Sequence, residues 1–362
     1  MTNKRKKVAV GLSGGVDSSV AAALLKEEGY DVIGLSMEIF DGPEDMVRPE
    51  RDSCYGPNEK EDIERAAAVC RKMDIPFHAI DLKKEYSRHV IKYFRDEYLA
   101  GRTPNPCIVC NAKLKFGFLL EKARESGIEF DLFATGHYAR LERSGDRILL
   151  KKAIDLSKDQ SYFLYALTPQ QLSQTLFPLG PFKKAQVRGM ARSFGLETAD
   201  RPESQDFMAY GDYTYLFEKE EVREGDIVDG QDRVLGRHRG IIHYTVGQRR
   251  GLRLSSSSPL YVRTIDAGKN RIVVSPKENL WSKALMATDL TLIAAERLDR
   301  PRRVKARIRL KHKEAPATIY PYENNRVKVQ FEERQLAVTP GQSVVFYLED
   351  VVFGGGLIEK AL

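Results

Sequence analysis

Two short segments of this sequence carry residue types that do chemistry at close spacing. One is Cys107-Ile108-Val109-Cys110. Thiolates are nucleophiles and metal ligands, and a CxxC spacing depresses one thiol pKa and permits an easy disulfide. The other is Gly11-Leu12-Ser13-Gly14-Gly15-Val16-Asp17-Ser18-Ser19. Its glycines allow a tight turn and a close approach of backbone to ligand. A helix follows, and its free N–H groups and positive dipole end favour phosphate. Ser13, Ser18 and Ser19 add hydroxyl donors. The loop lacks a Gly-Lys-Ser/Thr ending and the GxGxxG pattern, so it is neither a Walker A loop nor a dinucleotide fingerprint. Asp17 reads either as a Mg²⁺ ligand at the phosphates or as an acid of the first helical turn.

The elements that must position these segments follow from hydrophobic period. Strands are expected at Lys6–Gly11, Asp31–Met37, Pro76–Asp81 and Asp131–Thr135. Helices are expected at Ser18–Glu28, Glu59–Met73, Tyr86–Ala100 and Lys113–Ser126, with a helical connection over Pro169–Phe194. Alternation at this spacing predicts an α/β domain with a parallel sheet covered on both faces. After about Thr198 the runs become short and Gly-bounded, among them Gly240–Val246, Val304–Leu310 and Ser343–Tyr347, which predicts a β-rich, barrel-like remainder. The expected domains are 1–205, a small central domain 206–277, and a C-terminal barrel 278–362.

Composition sets outer limits. The 362 residues are 42% hydrophobic and 30% charged, enough apolar material for more than one core. No run of about twenty apolar residues suggests a membrane span, and the basic start Lys4-Arg5-Lys6-Lys7 lacks the apolar region of a signal peptide. An intracellular, cytoplasmic protein without membrane partners is expected. Four cysteines, Cys54, Cys70, Cys107 and Cys110, are too few for a disulfide scaffold at this length and fit a reducing compartment. Cys70, in Ala66-Ala67-Ala68-Val69-Cys70, reads as core.

The string Ser13 to Ser19 on the first strand resembles the pyrophosphate loop of the N-type ATP pyrophosphatases, which cleave ATP between the α and β phosphates and join AMP to a substrate oxygen. Further motifs narrow the resemblance. Gly101-Arg102-Thr103-Pro104-Asn105-Pro106 runs into Cys107–Asn111 and Lys115-Phe116. Ala134-Thr135-Gly136-His137-Tyr138, Lys158–Leu164, Tyr244–Leu252 and Thr339–Ser343 follow in order. Together they resemble the tRNA-specific 2-thiouridylases over nearly the whole chain. The resemblance implies a pyrophosphatase domain, a central domain and a β-barrel. It implies ATP and Mg²⁺ as cofactors, with ATP at Gly11, Leu12, Ser13, Gly14, Gly15, Val16, Asp17, Ser18, Met37 and Gly136. It places the target base at Asn105, Pro106 and Cys107. Contacts to tRNA, at its anticodon region, fall on His137, Lys158, Asp159, Gln160, Arg307, Ile308 and Gln342. On residue chemistry alone, Met37 reads as core, His137 as a structural histidine and Lys158–Gln160 as a solvated turn.

The cysteines depart from the family pattern. The resemblance implies one cysteine after the Pro-Asn-Pro segment, an acid three residues before it, and a second cysteine about ninety residues on. Here Cys110 takes the first place and Cys107 the acid's place, while Met208 stands where the second cysteine is expected. A thioether forms no persulfide. Three readings stay open: Cys107 and Cys110 as persulfide carrier and resolving thiol; Cys54, Cys107 and Cys110 as ligands of a 4Fe–4S cluster; or a zinc half-site needing two more ligands. A sulfur-donor protein or another persulfide source is implied as a partner.

Lys305, Arg307, Arg309 and Lys311 alternate with Val304, Ala306, Ile308 and Leu310. A strand there presents every cation on one face, which phosphate contact explains better than a solvated face does. With Arg237, Arg239, Arg249 and Arg250 it would form a track for folded RNA. The expected activity is ATP-dependent adenylation of the wobble-uridine C2 oxygen followed by sulfur transfer, by a monomer, on a base flipped from its stack.

Overall fold

The computed structural model describes residues 5–42, 53–201, 206–208, 213–219 and 221–362, with 206–208 described in backbone alone. The chain divides into two compact units. One comprises residues 1–90, 107–211 and 350–352; the other comprises 91–106, 212–349 and 353–362.

The first unit holds β1 (Lys7–Gly11), β2 (Asp31–Glu38), β3 (Ser53–Tyr55), β4 (Phe77–Asp81), β5 (Leu132–Thr135), β6 (Ala139–Ser144), β7 (Arg147–Lys152), β8 (Thr175–Leu176) and β9 (Asp206–Met208). Five of these form one parallel sheet in the order β4-β2-β1-β5-β8. β1 is the central strand, and Val8, Ala9 and Val10 are fully buried. Val8 and Val10 pack with Ala22 and Leu25 of the helix Val16–Glu27 and with Ala66 and Cys70 of the helix Glu59–Lys72. This is the covered parallel sheet that the apolar runs predict, and Cys70 is core as expected, its thiol pushed up to about 11 by burial. β8 is a difference. It lies inside the stretch 169–194 read as helical, which splits into the helices Pro169–Ser173 and Lys184–Ser193.

The order of that sheet matters for the site. Chain connections run outward from β1 in both directions, so a crevice opens at the carboxyl ends of β2, β1 and β5, where open α/β sheets bind ligands.

In the second unit, β10 (Gly225–Val228), β11 (Val234–His238), β12 (Tyr261–Asp266) and β13 (Arg271–Ser275) make a four-stranded sheet. Then β14 (Trp281–Leu292), β15 (Arg302–Arg307), β16 (Ala315–Tyr322), β17 (Arg326–Leu336), β18 (Ser343–Leu348) and β19 (Val351–Ala361) form a six-stranded barrel, ordered β14-β17-β16-β15-β18-β19 and closed by β14 against β19. Its core includes Leu285, Ala306, Ile319, Val329, Phe331 and Phe346; full burial of such side chains contributes about 1.5–3 kcal/mol each. Two expected strands come out differently. Gly240–Val246 contains a 3-10 turn at Ile241–His243. The basic strand stops at Arg307 rather than Leu310.

Candidate functional site

The phosphate loop leaves β1 at the centre of the crevice. Leu12 N donates to Leu35 O at 2.7 Å, and Ser36 Oγ donates to Leu12 O at 2.7 Å, so the loop's first residue is tied to β2. Gly14 turns at φ +70°, and a Cβ there would lie 2.5 Å from Asp62 O. Gly15 caps the helix Val16–Glu27 without a side chain. The N–H groups of the first turn therefore stay available for a ligand.

The serines divide their work. Ser19 Oγ donates to Gly15 O at 2.8 Å and is buried, so it braces the turn instead of serving as a ligand donor as expected. Ser18 Oγ donates to Gly15 O at 3.2 Å and accepts from Ser13 N at 3.2 Å. Ser13 is exposed. Gly136 follows β5, and a Cβ on it would sit 2.6 Å from Ser18 N. The expected glycine thus has a steric reason: β5 ends against the start of the loop's helix. Met37 is partly exposed at the end of β2, paired with Ile80. Glu59 fixes that strand end by accepting from Ile39 N at 2.7 Å and Phe40 N at 3.0 Å. Burial pushes its carboxyl above the usual range despite these bonds. Gly11 to Ser18, Met37 and Gly136 all lie at the carboxyl ends of adjacent strands.

Asp17 receives both hydrogen bonds of Lys184 Nζ at 2.8 Å and the Tyr138 hydroxyl at 2.9 Å. This favours the reading of Asp17 as an internal anchor. Its carboxylate is committed to an ammonium, and among the described residues no group of three His, Cys, Asp or Glu is arranged to hold a metal ion. These residues do not offer a protein cage for Mg²⁺.

The cysteines lie in the same unit. A short helix Pro106–Val109 runs into a π-helix Cys110–Phe118. Cys107 and Cys110 are half-buried and Cys54 is exposed. β3 pairs with β9 in parallel, Ser53 opposite Asp206 and Tyr55 opposite Met208, so Cys54 lies beside the backbone where the second cysteine was expected. The Met208 side chain lies outside the described residues, as do the flanking residues 202–205 and 209–212. Tyr86 is buried and stacked on Tyr55 at 5.3 Å. Burial, then Cys110, Cys54 and Cys107, hold its phenol far above the ordinary range. Burial also pushes the Cys110 thiol up to about 11, partly offset by Lys115. Among the described residues the three thiols do not form a group of three ligands ready for a metal ion, so neither a cluster nor a zinc ion has a complete ligand set among them.

The residues expected at tRNA separate into partly exposed side chains and internal supports. His137 accepts or donates at Thr135 Oγ1 over 2.7 Å and lies between Phe116 and Phe177. Burial and then Lys115 hold its imidazole well below the usual range, so it is neutral. Asp159 is buried and accepts from Ala153 N, Ser161 N and Ser161 Oγ, which makes it a turn brace. Gln160 accepts from Tyr138 N at 2.9 Å, while Lys158 is partly exposed. In the second unit, Asn105 is half-exposed and Pro106 buried. Gln342 Nε2 donates to Thr103 O at 3.0 Å and Pro104 O at 3.3 Å, so it supports the base segment. Ile308 is 2% exposed in the barrel core, leaving only its backbone for contact. Arg307 pairs with Glu314 at 2.8 Å, and the row of cations breaks where the chain turns beyond it. Arg303 and Lys305 remain exposed on that face. Sequence reading missed Lys184 and Glu59, which carry no local signal, and left Lys115 without a role although it stands in a quoted motif.

Comparison with known proteins covers the chain. Residues 6–209 match a family model described as tRNA methyl transferase HUP domain, 214–276 one described as tRNA methyl transferase PRC-barrel domain, and 282–358 one described as Aminomethyltransferase beta-barrel domain. The tRNA-specific 2-thiouridylase MnmA 2 of Thermoanaerobacter sp. (strain X514) is 48% identical over 363 residues, 98% of each chain. The tRNA-specific 2-thiouridylase MnmA of Acetivibrio thermocellus is 47% identical over 362 residues, 98% of this chain and 99% of that one. The enzyme of the same name from Clostridium perfringens (strain 13 / Type A) is 46% identical over 364 residues, 99% of each.

Proposed function

The chain belongs to the tRNA-specific 2-thiouridylase family, and we propose that it replaces the C2 oxygen of the tRNA wobble uridine with sulfur, using ATP and the Cys107–Cys110 pair. The observation that carries this reading is a glycine phosphate loop at the centre of the sheet's crevice, in one unit with a CxxC pair.

ATP lies with its phosphates on the N–H groups of Gly14 to Ser18. The uridine C2 oxygen attacks the α-phosphorus, and pyrophosphate leaves onto the loop. The helix N-terminus stabilises the charge that gathers there. Lys184 neutralises Asp17, so the carboxylate does not repel the phosphates. No step is assigned to Mg²⁺ or to a cluster.

The second half is sulfur transfer. One cysteine of the pair carries a persulfide from a sulfur donor. Its outer sulfur attacks C2, and AMP leaves with the electrons of the C2–O bond. The other cysteine then attacks the inner sulfur and closes a Cys107–Cys110 disulfide. The transferred sulfur keeps the bonding pair and becomes C2=S. An external thiol reductant and the donor reset the pair. Asn105 and Pro106 frame the base, and Arg303, Lys305 and Lys158 meet RNA phosphate. The protein acts as a cytoplasmic monomer; among the described residues no helix is long and apolar enough to cross a membrane.

The test is stoichiometry. With ATP, unmodified tRNA, a small-molecule persulfide as sulfur donor and a thiol reductant to reset the pair, AMP, pyrophosphate and 2-thiouridine should appear in equal amounts. Formation of ADP in step with thiouridine would overturn the adenylation half.

A further inference from the structure

Lys115 lies five residues after Cys110, inside the π-helix Cys110–Phe118. In an α-helix a side chain five residues on points about 140° away. The i→i+5 turn of a π-helix brings those two positions onto one face instead, and such turns concentrate at functional sites. Cys110 and Lys115 therefore share one face of this turn, and after burial the charges that act on Lys115 are those of Cys110, then Cys54 and Cys107.

Among the described residues no acid forms an ion pair with Lys115, unlike several other partly buried or buried lysines. Lys184 pairs with Asp17, Lys122 with Glu85, and Lys151 with Glu142. After burial, the groups acting on Lys115 are the three thiols, and Lys115 in turn acts on the neutral His137. A half-buried cation without a carboxylate is unfavourable unless an anion arrives to pair with it. The CxxC pair has the complementary need. Burial disfavours the Cys110 thiolate, and Lys115 is the group that opposes that effect.

We propose that Lys115 forms an anion subsite for the transferred sulfur, its ammonium holding the thiolate or persulfide anion at the Cys107–Cys110 pair as the sulfur approaches the base. This rests on the sulfur-carrier reading above. It makes Lys115 a direct partner of the reacting atom, and makes the π-helix the reason that it reaches that atom.

The test compares two alkylating reagents at pH 7.5, anionic iodoacetate and neutral iodoacetamide, with modification of Cys107 and Cys110 read by peptide mass. A cation beside the thiols raises the iodoacetate-to-iodoacetamide rate ratio, and that ratio is insensitive to general loosening. Lys115→Met should lower it about five- to tenfold, the effect of one unit charge close by at partial burial, and Lys115→Arg should keep it. An unchanged ratio in Lys115→Met, or an equal drop in Lys115→Arg, would overturn the proposal. Should Lys115→Met fail to fold, raising salt to 1 M on the unaltered protein replaces it: the ratio falls if Lys115 supplies the field, and a salt-independent ratio overturns the idea. Neither arm uses tRNA or ATP. If the protein fails to thiolate tRNA, the proposed function falls and these ratios do not change.

Discussion

Lys184 places its ammonium 2.8 Å from both carboxylate oxygens of Asp17, joining residues 167 positions apart. The pair clamps the first turn of the phosphate-loop helix to the helix Lys184–Ser193. Lys184→Met should leave Asp17 with Tyr138 as its remaining partner, put a negative charge beside incoming phosphates, and destabilise the fold by about 2 kcal/mol, as for a charged hydrogen bond lost at partial burial. Urea unfolding and pyrophosphate release check the two effects. The double variant Asp17→Asn/Lys184→Met should recover most of the stability.

How much of this was legible beforehand follows from that pair. The loop itself was readable because its signals are local: an apolar strand, glycines, a helix start. Lys184 was not, because nothing in its own neighbourhood marks it as the partner of a residue in another element. The inward turn of Ser19 and Asp159 is not legible for a related reason, since a polar side chain becomes a brace once packing buries it. The basic strand was right in its alternation and wrong in its length, because Glu314 pairs with Arg307 just after the strand turns. The π-helix has no period that apolar patterning reveals.

Gln342 gives a prediction that separates support from contact. Its amide holds the Thr103 and Pro104 carbonyls, next to Asn105. Gln342→Ala should cost about 2 kcal/mol for its two lost bonds, appearing as a roughly thirtyfold lower thiolation kcat with tRNA affinity nearly unchanged. A large rise in tRNA Kd would instead mean that Gln342 touches RNA.

His137 sets a pH dependence. Burial first, and Lys115 second, hold its imidazole well below the ordinary range. The unfolded chain protonates this group below about pH 6.5 while the native state does not. The unfolded state then binds more protons, so this contribution is present above about pH 6.5 and is lost as pH falls. His137→Gln should therefore narrow the fall in the urea midpoint between pH 7.5 and 5.5. An identical fall in both proteins would contradict a neutral, buried imidazole.

The barrel face yields a salt-dependence test. Arg303 and Lys305 are exposed, whereas Arg307 is tied to Glu314. Removing a phosphate contact lowers the slope of log K against log salt by about 1. Lys305→Ala should do so for tRNA binding, and Arg307→Ala should change it less. Equal slopes for all proteins would move the RNA track elsewhere.

The central claim is that sulfur reaches the base through Cys107 and Cys110. It is tested most directly by nucleoside mass spectrometry of unmodified tRNA after anaerobic reaction with ATP, a small-molecule persulfide donor and a thiol reductant, comparing the unaltered protein with Cys107→Ala, Cys110→Ala and the double variant. The account predicts 2-thiouridine from the unaltered protein and none from the double variant, with pyrophosphate release persisting in both. Undiminished 2-thiouridine from the double variant would contradict it.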